Sequence, residues 1–184
     1  VTTLADCYAS IKRRDRRARD VYLKSLKKGH GTKEILEIVG EMLIEKDMSS
    51  YELETFEMMS KKHKATDTFA YRLATVLKKK PEERLKEIVK LSRQAPPDNK
   101  AIAVQLGFAL GEEVTRSNVR MILALPPKMA MKVFEIARKK SPDALILTTQ
   151  LAKMKLEQGI RDEDTEELLS DICRRDSGEI DMRF

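Results

Sequence analysis

Apolar residues recur at three- and four-residue spacing along nearly all of the 184-residue chain, and no sustained run alternates apolar with polar residues between turns. A helix has a period of 3.6 residues and collects such positions on one side, whereas a half-buried strand needs a period of two. The spacing therefore predicts an all-α protein of about nine or ten helices, either a stack of antiparallel helices of the α-solenoid, HEAT or armadillo type or an irregular helical bundle. The first helix is expected over residues 3–28, stopped by Gly29-His30-Gly31, where glycine takes the left-handed conformation without a Cβ penalty. Further helices are expected near 33–45, 51–62, 67–79, 82–94, 99–113, 118–125, 128–140, 144–158 and 165–175. Thr32 and Ser49 or Ser50 supply N-caps for the first two of these. Pro81, Pro96, Pro97, Pro126, Pro127 and Pro142 all fall at expected boundaries, where a missing N–H does no harm.

Residues 81–123 laid over 126–168 without gaps, at an offset of 45, give nine identities. Among them are Pro81/Pro126, Gln105/Gln150, Leu106/Leu151 and Leu123/Leu168, while Ile88/Val133 and Ile102/Leu147 match on the face a helix would bury. Residues 32–80 do not follow that offset. The reading divides the chain into a basic helix packed on the body (1–31), a first helical part (32–80), a repeat-like part (81–176) and a C-terminal tail (177–184).

Charge is unevenly placed along this division. The net charge is +6, and residues 1–31 carry all of it, with nine basic residues against Asp6, Asp15 and Asp20. Residues 157–184 tip the other way, with ten acidic residues against four arginines. Lys12, Arg13, Arg14, Arg16, Arg17 and Arg19 form the candidate binding cluster, and the predominance of arginine suits bidentate contact with carboxylate or phosphate. A secondary basic ridge is expected from Lys61, Lys62, Lys64, Lys78, Lys79, Lys80, Arg138, Lys139 and Lys140. These also stand at helix C-termini, where cations complement the helix dipole.

The chain lacks the common catalytic and ligand-binding patterns. HExxH, GxxxxGK[ST], GxGxxG and GxSxG do not occur, and neither His30 nor His63 has a carboxylate or cysteine at metal-ligand spacing. Gly29 to Lys33 reads as a C-cap followed by an N-cap rather than an anion cradle, and Asp162-Glu163-Asp164 as the acidic first turn of a helix. No catalytic residue, metal site or cofactor is expected. Cys7 and Cys173 lie at opposite ends, each on the expected apolar side of a helix, which points to reduced thiols in the cytoplasm or another reducing intracellular compartment. No stretch approaches the roughly 20 apolar residues of a membrane span. Nine methionines, placed mostly on apolar faces, suit core filling, with some available to line a groove.

The leading expectation is a non-enzymatic interaction scaffold or adaptor that uses the basic helix, a helical groove or both to bind a protein partner. The alternative is binding to the backbone of RNA or DNA through the arginine-rich helix and the lysine clusters. It is weakened by the small number of aromatics, nine in all, mostly at expected core positions. A helix-turn-helix is disfavoured because Leu125-Pro126-Pro127 makes a poor turn. The opposite charges of the two ends also suit salt-sensitive self-association.

Overall fold

The structure, a computed structural model, describes residues 3–45, 49–94 and 99–175. Among these residues all regular structure is helical, with no strand. Eleven helices follow in order: α1 (Leu4–Ser10), α2 (Arg16–Lys27), α3 (Lys33–Ile44), α4 (Ser50–Lys62), α5 (Phe69–Leu77), α6 (Pro81–Ser92), α7 (Lys100–Glu112), α8 (Arg116–Leu123), α9 (Pro127–Lys140), α10 (Leu145–Glu157) and α11 (Glu163–Arg175). Thr32, Thr68, Asn99 and Thr115 open four of them, each side chain accepting from the backbone N–H three residues on. Pro81 and Pro127 occupy the first turns of α6 and α9, and Gly29 follows α2 with φ +81. The expected features at Pro96, Pro97 and the 177–184 tail lie outside the described residues.

One expected helix is two. The stretch 3–28 breaks between Ser10 and Arg16, with Lys12 at φ +49. The apolar stripe is interrupted at Arg14 and Asp15, so no core contact rewards helix there, and Asp15 uses its carboxylate to cap instead. It accepts from the Ala18 N–H at 2.9 Å. The turn is held by the Arg13 guanidinium, which pairs with Asp15 and lies 4.7 Å from the Tyr8 ring centroid. Arg14 pairs with Glu41 on α3, and the buried Tyr22 hydroxyl donates to the Arg13 carbonyl at 3.0 Å.

The helices pack mainly on near neighbours in the chain. α1 and α2 lie on α3, α4 and α3 on α5, α5 on α6, α6 on α7 and α8, α8 and α7 on α9, and α9 to α11 in succession. α3 also touches α7, and a Gln105 side-chain N–H donates across that junction to the Ile44 carbonyl. One continuous core results, with Tyr22, Phe56, Leu73, Ile102, Leu106 and Phe134 among its fully buried members. Each such side chain contributes roughly 1.5–3 kcal/mol of burial.

The most extensive contact joins α7 to α9. It depends on small residues at every fourth position of α7, namely Ala103, Gly107 and Gly111. A Cβ at Gly107 would stand 2.6 Å from Ile136 Cβ, so only glycine lets the helices come this close. α7 and α10 start and finish 45 residues apart, but the main contacts of α10 among the described residues are with α9 and α11.

Candidate functional site

The break after α1 separates the six cations of the sequence cluster. Arg13 and Arg14 are bound into the turn by Asp15, Tyr8, Glu41 and, at 3.8 Å, Glu45. Lys12 is exposed in the turn itself. Arg16 and Arg17 are exposed at the first two positions of α2 and have no ion-pair partner among the described residues. Arg19 is half-buried and faces a cavity. The outward side of α2 continues with Lys24, Lys27 and Lys28, all exposed. The basic surface therefore runs along α2 rather than clustering at residues 12–19.

α2 and α4 both flank α3, which leaves a groove between them. Two connected cavities, of about 90 and 450 Å³, share Leu26, Lys27, Tyr51, Thr55 and Met59. Val39 and Leu43 of α3 form the floor, Arg19, Leu23 and Lys27 one rim, and Tyr51, Met58 and Lys62 the other. Tyr51 is 71% exposed and Met58 65%, a large apolar commitment to solvent beside a cationic edge. Tyr51 is thus an exception to the expectation that aromatics fill the core. Its signal in the sequence was weak: it falls off the stripe of Leu53, Phe56 and Met59 that α4 buries.

The secondary basic residues are dispersed. Lys61 and Lys78 both pair with Glu57, and their hydrogen bonds, Lys61 first, hold its carboxyl below the usual glutamate range. Lys79 reaches Glu87 at 3.8 Å and Arg138 reaches Asp164 at 4.0 Å. Lys140 pairs with Glu112 at 3.1 Å and sits over the Phe108 ring. Lys64, Lys80 and Lys139 are without ion-pair partners among the described residues, as is Lys62. Of the nine, Lys62 alone lines the α2–α4 groove, and a Cβ at Gly29 would lie 3.8 Å from its Nζ.

At the acidic end, Asp162 accepts from the Thr165 N–H at 2.9 Å and with Asp164 clasps Lys155, whose side chain is 7% exposed. Among the described residues no group of three His, Cys, Asp or Glu is placed to hold a metal ion. The Gly29 to Lys33 turn uses its polar groups internally: Ser25 donates to the His30 carbonyl and Thr32 caps α3. Cys7 and Cys173 are free and exposed, which corrects the expectation that both lie on apolar faces. No helix among the described residues is long and apolar enough to cross a membrane.

Comparison of the chain with protein-family models, curated proteins and solved structures finds no match.

Proposed function

We propose that the protein is a non-enzymatic helical interaction module that binds an acidic protein surface through the α2–α4 groove. The observation that carries this reading is the juxtaposition of exposed Tyr51 and Met58 with a cationic α2 edge. Binding energy in protein interfaces concentrates in aromatic and methionine anchors surrounded by polar rims, and charge complementarity sets encounter and register. A second observation agrees. Arg16 and Arg17 stand at the positive pole of α2, where the helix dipole disfavours cations, and no carboxylate among the described residues pairs with them. Local stability does not account for them; recognition does. The repeat-like matches between 81–123 and 126–168 fit a scaffold grown by stacking helices, and the exposed thiols suit a reducing compartment.

The test is affinity capture with the intact chain, with and without nuclease, beside the Arg16→Glu/Arg17→Glu/Lys24→Glu variant. Protein partners that survive nuclease and are lost with the variant support the reading. Capture that disappears with nuclease and falls steeply with salt moves the protein to backbone-directed nucleic-acid binding.

A further inference from the structure

A separate concave surface lies along α6 to α9. A cavity of about 760 Å³ opens beside the N-terminal halves of α7 and α9, walled by Ala103, Pro126, Pro127, Met129 and Met131. A second, of about 660 Å³ between α6 and α8, shares Pro126 and Met129 with it and adds Val89, Met121 and Leu125. Met121, Met131, Val89 and Leu125 are only partly buried, so the groove leaves apolar surface accessible. Pro126 and Pro127 contribute a wall with no N–H to satisfy. Methionine is the side chain best able to reshape itself around a guest.

The edges of the groove are cationic. Lys128 and Lys132 line the first cavity, and Lys86, Lys90 and Arg93 the second, against Glu135 as the one carboxylate among the described residues of either lining. Lys90 is held by Glu87 at 2.7 Å, while the other four have no ion-pair partner among the described residues. Asn99 and Pro126, the N-cap residues of α7 and α9, both line the first cavity, and neither helix has an acidic residue in its first turn. Two helix poles thus add positive potential to that of the side chains.

We infer that this groove docks an acidic amphipathic helix of a partner protein. Apolar residues at i, i+3, i+4 and i+7 lie on the methionines and prolines, and flanking glutamates and aspartates meet Lys86, Arg93, Lys128 and Lys132. Among the described residues no aromatic lines either cavity, so they offer no platform for base stacking, which argues against single-stranded nucleic acid as the occupant. The groove shares no lining residue with the α2–α4 surface and extends the proposed function with a second, separately testable site.

The experiment labels the methionine methyls of the intact chain with carbon-13 and assigns them by single Met→Leu substitutions. Three probes are titrated: a synthetic helix of about 16 residues, near 24 Å long, with leucine at the spacing above and glutamate on its other faces; the same helix with lysine for glutamate; and a single-stranded RNA oligomer. The acidic helix is expected to move the Met121, Met129 and Met131 signals and to bind about tenfold more tightly than the lysine helix. Lys128→Glu/Lys132→Glu changes exposed side chains outside the core and is expected to weaken the acidic helix about tenfold with the circular dichroism spectrum unchanged. Movement of Met58 and Met59 alone places the peptide at the α2–α4 surface, overturning this inference while leaving the proposed function standing. Equal binding of both helices, RNA moving Met121, Met129 and Met131 in place of the acidic helix, or no movement with any probe also overturns it.

Discussion

Tyr22 shows how a single hydroxyl holds the break between two helices. Its ring is fully buried, while its O–H reaches the Arg13 carbonyl at 3.0 Å across the α1–α2 break. Tyr22→Phe keeps the ring and strands that carbonyl, so urea denaturation should show a loss of about 0.5–1.5 kcal/mol. Lys155 is a second such residue. Burial pushes its ammonium down, but Asp164 and Asp162 outweigh that and raise it above the usual lysine value. Hydrogen bonds from the Thr165 hydroxyl and N–H, followed by Lys155, lower Asp162 from 3.8 to about 2. A carboxylate lowered on folding stabilises above its unfolded value, and that contribution fades as pH falls through its folded value. Lys155 acts at the other extreme, contributing below about 10.5 and losing the contribution as pH rises through its raised value. The thermal midpoint should therefore decline between about pH 4 and pH 2, and Asp162→Asn should decline less over that range. A variant with the same acid profile as the parent would show that Asp162 is not the titrating group.

Whole helices have their own vulnerabilities. α2 begins with Asp15 as cap and two arginines against its dipole. Asp15→Ala should cost about 1 kcal/mol and free the Arg13 guanidinium from its ion pair. Arg16→Glu and Arg17→Glu should do the reverse, each adding about 0.3–1 kcal/mol of stability at low salt while removing partner capture. A variant that is more stable yet no longer binds would mark these positions as held for recognition, and a loss of stability would contradict the dipole argument. α7 depends on its small residues. Gly107→Val forces two helices apart where Ile136 already fills the space, and calorimetry should register an overpacking cost of about 1–3 kcal/mol.

For the molecule as a whole, charge is segregated. The outward side of α2 is basic, while α11 opens with Glu163, Asp164 and Glu166. Part of the acidic charge is already spent on Lys155 and Arg138, which leaves exposed Glu163, Glu166 and Glu167 to face a neighbour. Sedimentation should detect head-to-tail association at low ionic strength that vanishes above about 0.5 M salt, where the screening length falls to a few ångströms. Association that persists at high salt would instead indicate apolar contact through a groove.

Local physics made the helices readable. The 3.6-residue period, the caps at Thr32 and Asn99 and the prolines at Pro81 and Pro127 each act within a turn or two of themselves, so residue order alone specifies all-α architecture and most boundaries. It also located the charge excess in residues 1–31. The break at residues 11–15 was visible as an interrupted stripe, but its outcome depended on Glu41 and on the Tyr22 hydroxyl. The first is 27 residues from its partner Arg14 and the second nine residues from Arg13. Tertiary structure alone decided which cations stay available. It spent Arg13, Arg14, Lys61 and Lys78 on carboxylates and set Arg19 and Lys27 beside Tyr51. It also turned Met121, Met129 and Met131 into the wall of a groove. A periodic pattern tells a helix which face to bury; where two helices meet too loosely to bury it fully is set by packing between distant segments.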